Sequence, residues 1–258
     1  MTGVRAVTSN QDDIYKNLEQ VVRKYAATRF LRPIADHTRA AFEEAKQFVL
    51  QCHCEKRSDE AIEAESRPLD VILDSGCGAG ESTVHLAKRF PSIPVIGIDK
   101  SAMRLTKAGN VHQLEAANSG RIENLTVPQN AFWVRAELLD FWRLALDEVQ
   151  TGRWNIIHHA VFYPNPWPKE SEAGRRFHLH PIFPTLMALC PETELRTNWE
   201  IYAKEFAAAA QIVCNETSDN NRAVTISCEP FNPEIPETAF ERKYKEARQQ
   251  LWRVLVKK

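Results

Sequence analysis

The chain has 258 residues, 43% hydrophobic and 26% charged, enough to bury a sizeable core, and one α/β domain with decorations is the expected organisation. No apolar segment approaches the roughly 20 residues that cross a bilayer, and residues 1–10 lack the apolar core of a signal peptide, so a soluble, cytoplasmic protein is expected. A formal net charge of −1 carries no strong signal for nucleic acid, so any RNA contact is expected to be local, and six scattered cysteines in a chain of this size read as reduced thiols rather than staples.

From Gln11 to about Ala27, and from about Asp36 to Cys52, apolar residues recur with helical spacing, Ile14, Leu18, Val21, Val22 and Tyr25 forming one face. Glu55 to Pro68 is dense in charge and reads as a surface connection. Residues 1–68 are therefore taken as an N-terminal helical extension and 69–258 as the main domain. From Leu69 onward strands and helices alternate. The strands are Leu69–Leu73, Val95–Ile98, Phe132–Val134, Asn155–Phe162, Glu194–Arg196, Ala223–Cys228 and Leu251–Val256. Between them come helices near Glu81–Arg89, Ser101–Asn118, Leu138–Val149, Ile182–Leu189 and Trp199–Cys214. Such alternation predicts a seven-stranded, mostly parallel, Rossmann-like sheet covered on both faces.

The first strand runs into Asp74-Ser75-Gly76-Cys77-Gly78-Ala79-Gly80. Gly76, Gly78 and Gly80 let the backbone turn sharply and approach a ligand with no Cβ in the way. This spacing suits dinucleotides and S-adenosylmethionine (SAM) alike. Asp99 closes the second strand, where a carboxylate can accept from ribose hydroxyls. Glu137 follows the third and is placed to meet an adenine amino group. No second dinucleotide-binding half follows, which favours SAM. The plainer alternative is that Asp99 and Glu137 cap the helices after them.

Tyr163-Pro164-Asn165-Pro166-Trp167-Pro168-Lys169 ends the fourth strand. Its prolines fix φ and deny donors, holding Asn165 rigidly at a carboxyl end, where open α/β sheets place ligands. Trp167 is read either as a stacking surface for a base or as a core plug. The segment 169–174 reads as mobile, with Arg175 and Arg176 after it able to grip phosphates. His158 and His159 point to opposite faces of a strand, and no acid is arranged around His178 and His180 in the sequence. Cys52-His53-Cys54 lacks a fourth ligand. No metal site is expected.

Four motifs in order, Tyr163 to Lys169, Arg175-Arg176, Thr197-Asn198-Trp199 and Thr238-Ala239-Phe240-Glu241, resemble the bacterial tRNA (guanine-N7-)-methyltransferase family. Its members carry Phe-Pro-Asp-Pro-Trp-x-Lys, paired arginines, Thr-Asp-Trp and Thr-x-Phe-Glu. The resemblance implies a class I SAM-dependent methyltransferase fold acting on N7 of a tRNA guanine by in-line methyl transfer, as monomer or homodimer. It implies SAM contact at Asp74, Asp99 and Glu137 beside the glycines, and substrate contact at Lys169, Arg175, Arg176, Asn198, Thr238, Phe240 and Glu241, with Asn165 at the catalytic position. Two family carboxylates are amides here, Asn165 and Asn198, which marks a divergent paralogue. An amide accepts without charge and also offers a donor, so slower transfer, another base or small molecule, or a silent SAM- or tRNA-binding protein are the alternatives.

Overall fold

A computed structural model describes residues 6–54, 67–113, 127–217 and 223–258. The charged connection and the end of the predicted helix to Asn118 lie largely outside them. Among the described residues seven strands form one sheet: β1 Leu69–Ser75, β2 Val95–Asp99, β3 Ala131–Arg135, β4 Trp154–Phe162, β5 Glu192–Thr197, β6 Thr225–Phe231 and β7 Leu251–Lys257. Their order is β3-β2-β1-β4-β5-β7-β6. β2 lies parallel to β1 and β3, whereas β7 runs antiparallel to β5 and β6. The expected seven-stranded, mostly parallel α/β class is therefore the one observed.

The helices are α1 Leu18–Ala26, α2 Asp36–Cys54, α3 Glu81–Arg89, α4 Ala102–Gln113, α5 Leu138–Gln150, α6 Phe183–Ala188, α7 Glu200–Thr217 and α8 Ala239–Glu246. The chain divides into two compact units, residues 33–159 and residues 1–32 with 160–258.

In the first unit Val71, Ile72 and Leu73 are wholly buried, as a strand covered on both faces requires. α2 buries Ala41, Phe42, Ala45 and Val49, one helical stripe. Phe42 meets Phe141 edge-on at 4.9 Å and Trp154 at 5.2 Å, and Phe48 stacks on Phe132 at 4.8 Å. Each buried phenylalanine contributes about 2–3 kcal/mol of transfer free energy. α2 is thus packed on the strands and α5 of its own unit rather than held apart from them.

In the second unit α1 packs on α7 through Leu18 and Val22, and α7 buries Tyr202, Ala203, Phe206, Ala209, Ala210 and Val213. α1 is shorter than the spacing predicts. Ile14 is largely exposed, and residues 6–17 run irregularly instead of continuing the helix. The segment expected to be mobile forms a 3-10 helix over Glu170–Arg175, followed by another over Phe177–Leu179. α8 has no counterpart in the sequence reading.

Candidate functional site

In the unit of residues 33–159, the turn after β1 holds three glycines in the left-handed region, Gly76 at φ 78°, Gly78 at 60° and Gly80 at 78°. Side chains rarely adopt that backbone, so glycine is required there. A Cβ on Gly76 or Gly78 would meet nothing within 4 Å, so the turn borders open space. Asp99 fixes it: one carboxylate oxygen accepts from the Gly78 nitrogen at 3.1 Å, the other from the Ser101 nitrogen at 2.7 Å, and Arg104 stands 3.6 Å away. Asp99 therefore ties the glycine turn to the end of β2 and is more than a cap of α4, a role Ser101 takes by accepting from the Arg104 nitrogen.

Asp74 is buried, and one of its oxygens accepts from the Ser82 and Thr83 hydroxyls at 2.7 and 2.6 Å, which anchors the first turn of α3 behind the glycines. Glu137 occupies the N-cap position of α5 without a capping hydrogen bond from its side chain. Its backbone nitrogen donates to Thr38 of α2 at 3.2 Å, a contact that no sequence signal announced. Below the turn, Ser75 joins Trp142 and His159, each at 2.8 Å.

The unit of residues 1–32 and 160–258 carries the proline-rich rim. Tyr163 and Trp167 both have positive φ, 51° and 45°, strained for aromatic residues and over-determined by their surroundings. The Tyr163 nitrogen donates to the Arg196 carbonyl at 2.7 Å and its hydroxyl to Glu241 at 3.2 Å. Burial and the neighbouring Glu241 push the phenol well above its ordinary range. Asn165 and Lys169 are exposed and Trp167 is half-buried, with the Arg175 guanidinium 4.4 Å above its ring. Arg175 is itself mostly exposed and leans on Glu172 at 3.3 Å.

Three residues expected to touch substrate are placed otherwise. Arg176 is 0% exposed and paired with Glu205 of α7 at 2.7 Å, inside the fold. Thr238 is the N-cap of α8, its hydroxyl accepting from the Glu241 nitrogen at 3.0 Å. Glu241 is wholly buried and accepts from Arg196 at 2.9 Å and from the Glu237 nitrogen at 2.7 Å. Thr238 and Glu241 thus form a variant of the capping box that shapes the rim from beneath. Phe240, 48% exposed, does stand at the surface, clustered with Tyr163 and Tyr244.

Arg196 is the organiser that the motifs concealed. It lies just ahead of Thr197-Asn198-Trp199, buried between the rings of Phe162 and Phe231 at 4.0 and 4.8 Å, and bridges Glu194, Glu237 and Glu241. Asn198, half-buried, donates from Nδ2 to Gln249 Oε1 at 3.2 Å. One of its two amide N–H groups is therefore engaged within the protein.

His178 has an acidic partner after all, Glu205 at 2.7 Å, contributed by α7 and invisible in the local sequence. Burial works against the Glu205 charge, but the His178 hydrogen bond and the Arg176 guanidinium outweigh it and hold the carboxyl down to about 2. Burial lowers His178 below its ordinary value, which suits a neutral ring donating from Nε2. Among the described residues no group of three or more histidine, cysteine or acidic side chains could hold a metal ion. His53 closes α2 against the Asp70 carbonyl at 3.1 Å.

Residues 69–254 match the model of a family described as "Putative methyltransferase". The chain is 26% identical over 190 residues to a tRNA (guanine-N(7)-)-methyltransferase of Neisseria meningitidis, covering 72% of this chain and 71% of that protein. A protein of the same name from Mycobacterium avium is 32% identical over 112 residues, 43% of this chain and 37% of its own. A solved 16S rRNA methyltransferase, KamB, is 18% identical and superposes with a TM-score of 0.47 over 78% of this chain and 95% of that one.

Proposed function

Because the chain belongs to the methyltransferase family whose model spans its residues 69–254, we propose that it transfers a methyl group from SAM to N7 of a guanine in tRNA. The observation that carries the reading is the glycine turn: three left-handed glycines, a border of open space, and Asp99 fastened to the Gly78 nitrogen. These residues fit SAM. Gly76 and Gly78 would lie against it, with Asp99 and Glu137 as acceptors for its ribose and adenine, while Asp74 braces α3 behind them. When bound, SAM supplies an electrophilic methyl group on a sulfonium.

Guanine N7 carries a lone pair already, so no base is needed to create the nucleophile. The protein has to orient the purine and offset the positive charge that develops on it. Asn165 and Asn198 serve as acceptors for the guanine N1–H and N2–H edge. Replacing a carboxylate by an amide forgoes the charge-assisted part of each bond, on the order of 1 kcal/mol, which slows the enzyme without abolishing recognition. Since one N–H of Asn198 is given to Gln249, the amide is held in one orientation, in which its carbonyl oxygen can accept from the guanine N–H edge as an aspartate would. Lys169 and Arg175 are the exposed cations for phosphate, and Phe240 with Trp167 the aromatic surface. Arg176, Thr238 and Glu241 act from within the fold.

Incubating the purified protein with labelled SAM and unmodified total tRNA, followed by nucleoside mass spectrometry, tests the reading. 7-Methylguanosine above the no-enzyme control supports it. Another methylated nucleoside means that the amides re-tuned the base, and SAM binding without any product on RNA points to a small-molecule substrate or a silent protein.

A further inference from the structure

The rim of residues 167–170 cannot hold its own shape. Pro168 removes a backbone donor from it, Pro164 and Pro166 do the same in the stretch just before, and Trp167 sits in the left-handed region. Its peptide groups are instead fastened one by one from elsewhere in the same unit. The Trp167 carbonyl accepts from Arg176 Nε and Nη2 at 3.2 and 2.9 Å. The Pro168 carbonyl accepts from the Ser9 hydroxyl at 2.7 Å, and the Glu170 nitrogen donates to Asn10 Oδ1 at 3.1 Å.

Arg176 is in turn seated by Gln11. The Gln11 amide oxygen accepts from both terminal nitrogens of the guanidinium at 3.1 Å, and its Nε2 donates to Glu205 Oε1 at 2.6 Å. Glu205 completes the seat with bonds to Arg176 at 2.7 Å, His178 at 2.7 Å and the Tyr15 nitrogen at 2.7 Å. A glutamine is the side chain that can satisfy a buried cation and a buried carboxylate at once. The Ser9 hydroxyl also accepts from the Gln11 nitrogen at 2.9 Å, which locks the three residues into one local turn.

We infer that Ser9, Asn10 and Gln11 are positioning residues for the substrate rim, so that an irregular stretch about 160 residues upstream in the chain sets the geometry of Trp167 to Glu170. None of the three needs to touch RNA or SAM. The inference rests on the proposed tRNA reading only for its catalytic arm. Arg176 and Glu205 are wholly buried, so removing Gln11 leaves them with bonding groups that water cannot reach, whereas Ser9 and Asn10 act at the half-buried and exposed edge of the rim by holding its backbone in one conformation.

The experiment compares the wild type with the double variant Ser9→Ala/Asn10→Ala, with Gln11→Ala and with the conservative Asn10→Asp, which still offers an oxygen to the Glu170 nitrogen. Hydrogen exchange over residues 167–176 is measured without substrate, alongside SAM affinity, melting temperature and methyl transfer to tRNA. The double variant and Gln11→Ala are expected to lose amide protection at Glu170 through Arg176 at least tenfold. SAM affinity should stay within twofold and melting within about 4 °C. Turnover should fall about tenfold or more with KM for tRNA changed less than threefold, and Asn10→Asp should keep both exchange and turnover at the wild-type level. Unchanged exchange overturns the inference whatever the substrate, and lost protection with undiminished turnover overturns it too. Should the wild type make no 7-methylguanosine, the tRNA reading fails by itself, and exchange, lost in the alanine variants and kept in Asn10→Asp, still decides the positioning role.

Discussion

Asn198 donates from Nδ2 to the Oε1 of Gln249 at 3.2 Å, an amide held by an amide at the carboxyl end of β5. The register brings Gln249 there: β7 runs antiparallel to β5 with Thr197 opposite Trp252, so the residues just before β7 sit beside those just after β5. Which atom Asn198 shows a substrate is therefore decided by what stands at 249. Gln249→Glu can only accept and should keep guanine methylation within about threefold of the wild type. Gln249→Lys can only donate, would draw the Asn198 oxygen toward itself, and should lower kcat/KM about tenfold, the equivalent of about 1.4 kcal/mol. Equal activity in the two variants would show that the Asn198 orientation is irrelevant.

Asn165 lies three residues beyond the end of β4 and is exposed, so a carboxylate there carries little desolvation cost. Asn165→Asp is expected to raise transfer to guanine up to about tenfold through a charge-assisted bond and stabilisation of the purinium charge. A rate at or below the wild type, at unchanged SAM affinity, would sink the charge argument.

Gly78→Ala separates ligand contact from folding. The added methyl meets no protein atom within 4 Å but forces an alanine to φ 60°, a cost of about 1–2 kcal/mol. Calorimetry should report at least tenfold weaker SAM binding with a melting temperature lowered by about 2–6 °C. Gly152→Ala is the matched control: Gly152 also lies in the left-handed region, at φ 70°, with nothing within 4 Å of an added Cβ, and so carries the same strain in the turn between α5 and β4. If Gly152→Ala weakened SAM as much as Gly78→Ala does, the turn after β1 would have no special claim to the ligand.

The parts of the chain that could be read in advance are those whose chemistry is local. α3 was legible over Glu81–Arg89 because left-handed Gly80 precedes an apolar period, and β1 and β2 because continuous apolar runs admit few other fates. α8 was not, since Ala239–Glu246 holds one large aliphatic or phenyl side chain, Phe240, and that one is exposed. Its signal is the threonine and glutamate three apart, Thr238 and Glu241, a pair that the motif resemblance reads as substrate contacts and that caps the helix. Arg176 was misread for a different reason. A basic residue beside another basic residue suggests a phosphate grip, and nothing near it in the sequence announces that Glu205, 29 residues on, will neutralise it inside the fold. A local cap decided the first and long-range pairing the second.

Glu205 gives the pH dependence its sign. A carboxyl held down to about 2 in the folded protein against an ordinary 4.5 contributes stability that is fully present above 4.5 and is lost as pH falls toward 2, about 3 kcal/mol in all. His178 adds to the same trend, because burial lowers it and the unfolded chain takes up a proton below about 6.5 that the folded ring resists. Glu205→Gln leaves Arg176 buried without its counter-charge, so the variant should be less stable by about 3 kcal/mol or more at pH 6. Urea titrations should find that gap narrowing between pH 4.5 and pH 2.5. A gap that stays constant over that range would show that Glu205 is not the depressed group.

Arg248 ends α8 in the left-handed region, at φ 52°, with its nitrogen donating to the Lys245 carbonyl at 3.0 Å and the Gln249 nitrogen reaching back to the Tyr244 carbonyl at 3.0 Å. This is the helix-terminating turn that glycine ordinarily occupies, and an arginine there carries about 1–2 kcal/mol of backbone strain. Arg248→Gly removes the strain but gives the unfolded chain about 0.5–1 kcal/mol of extra conformational freedom, leaving a net stabilisation of about 0.5–1 kcal/mol. Scanning calorimetry should find the melting temperature raised by about 1–4 °C. The same change one residue earlier, Ala247→Gly, falls on ordinary backbone at φ −81° and should lower it instead. Opposite signs at adjacent positions are what strain requires, since loss of helix propensity alone would lower both, and a fall in the Arg248→Gly variant would mean that its side chain holds the turn in place of its backbone.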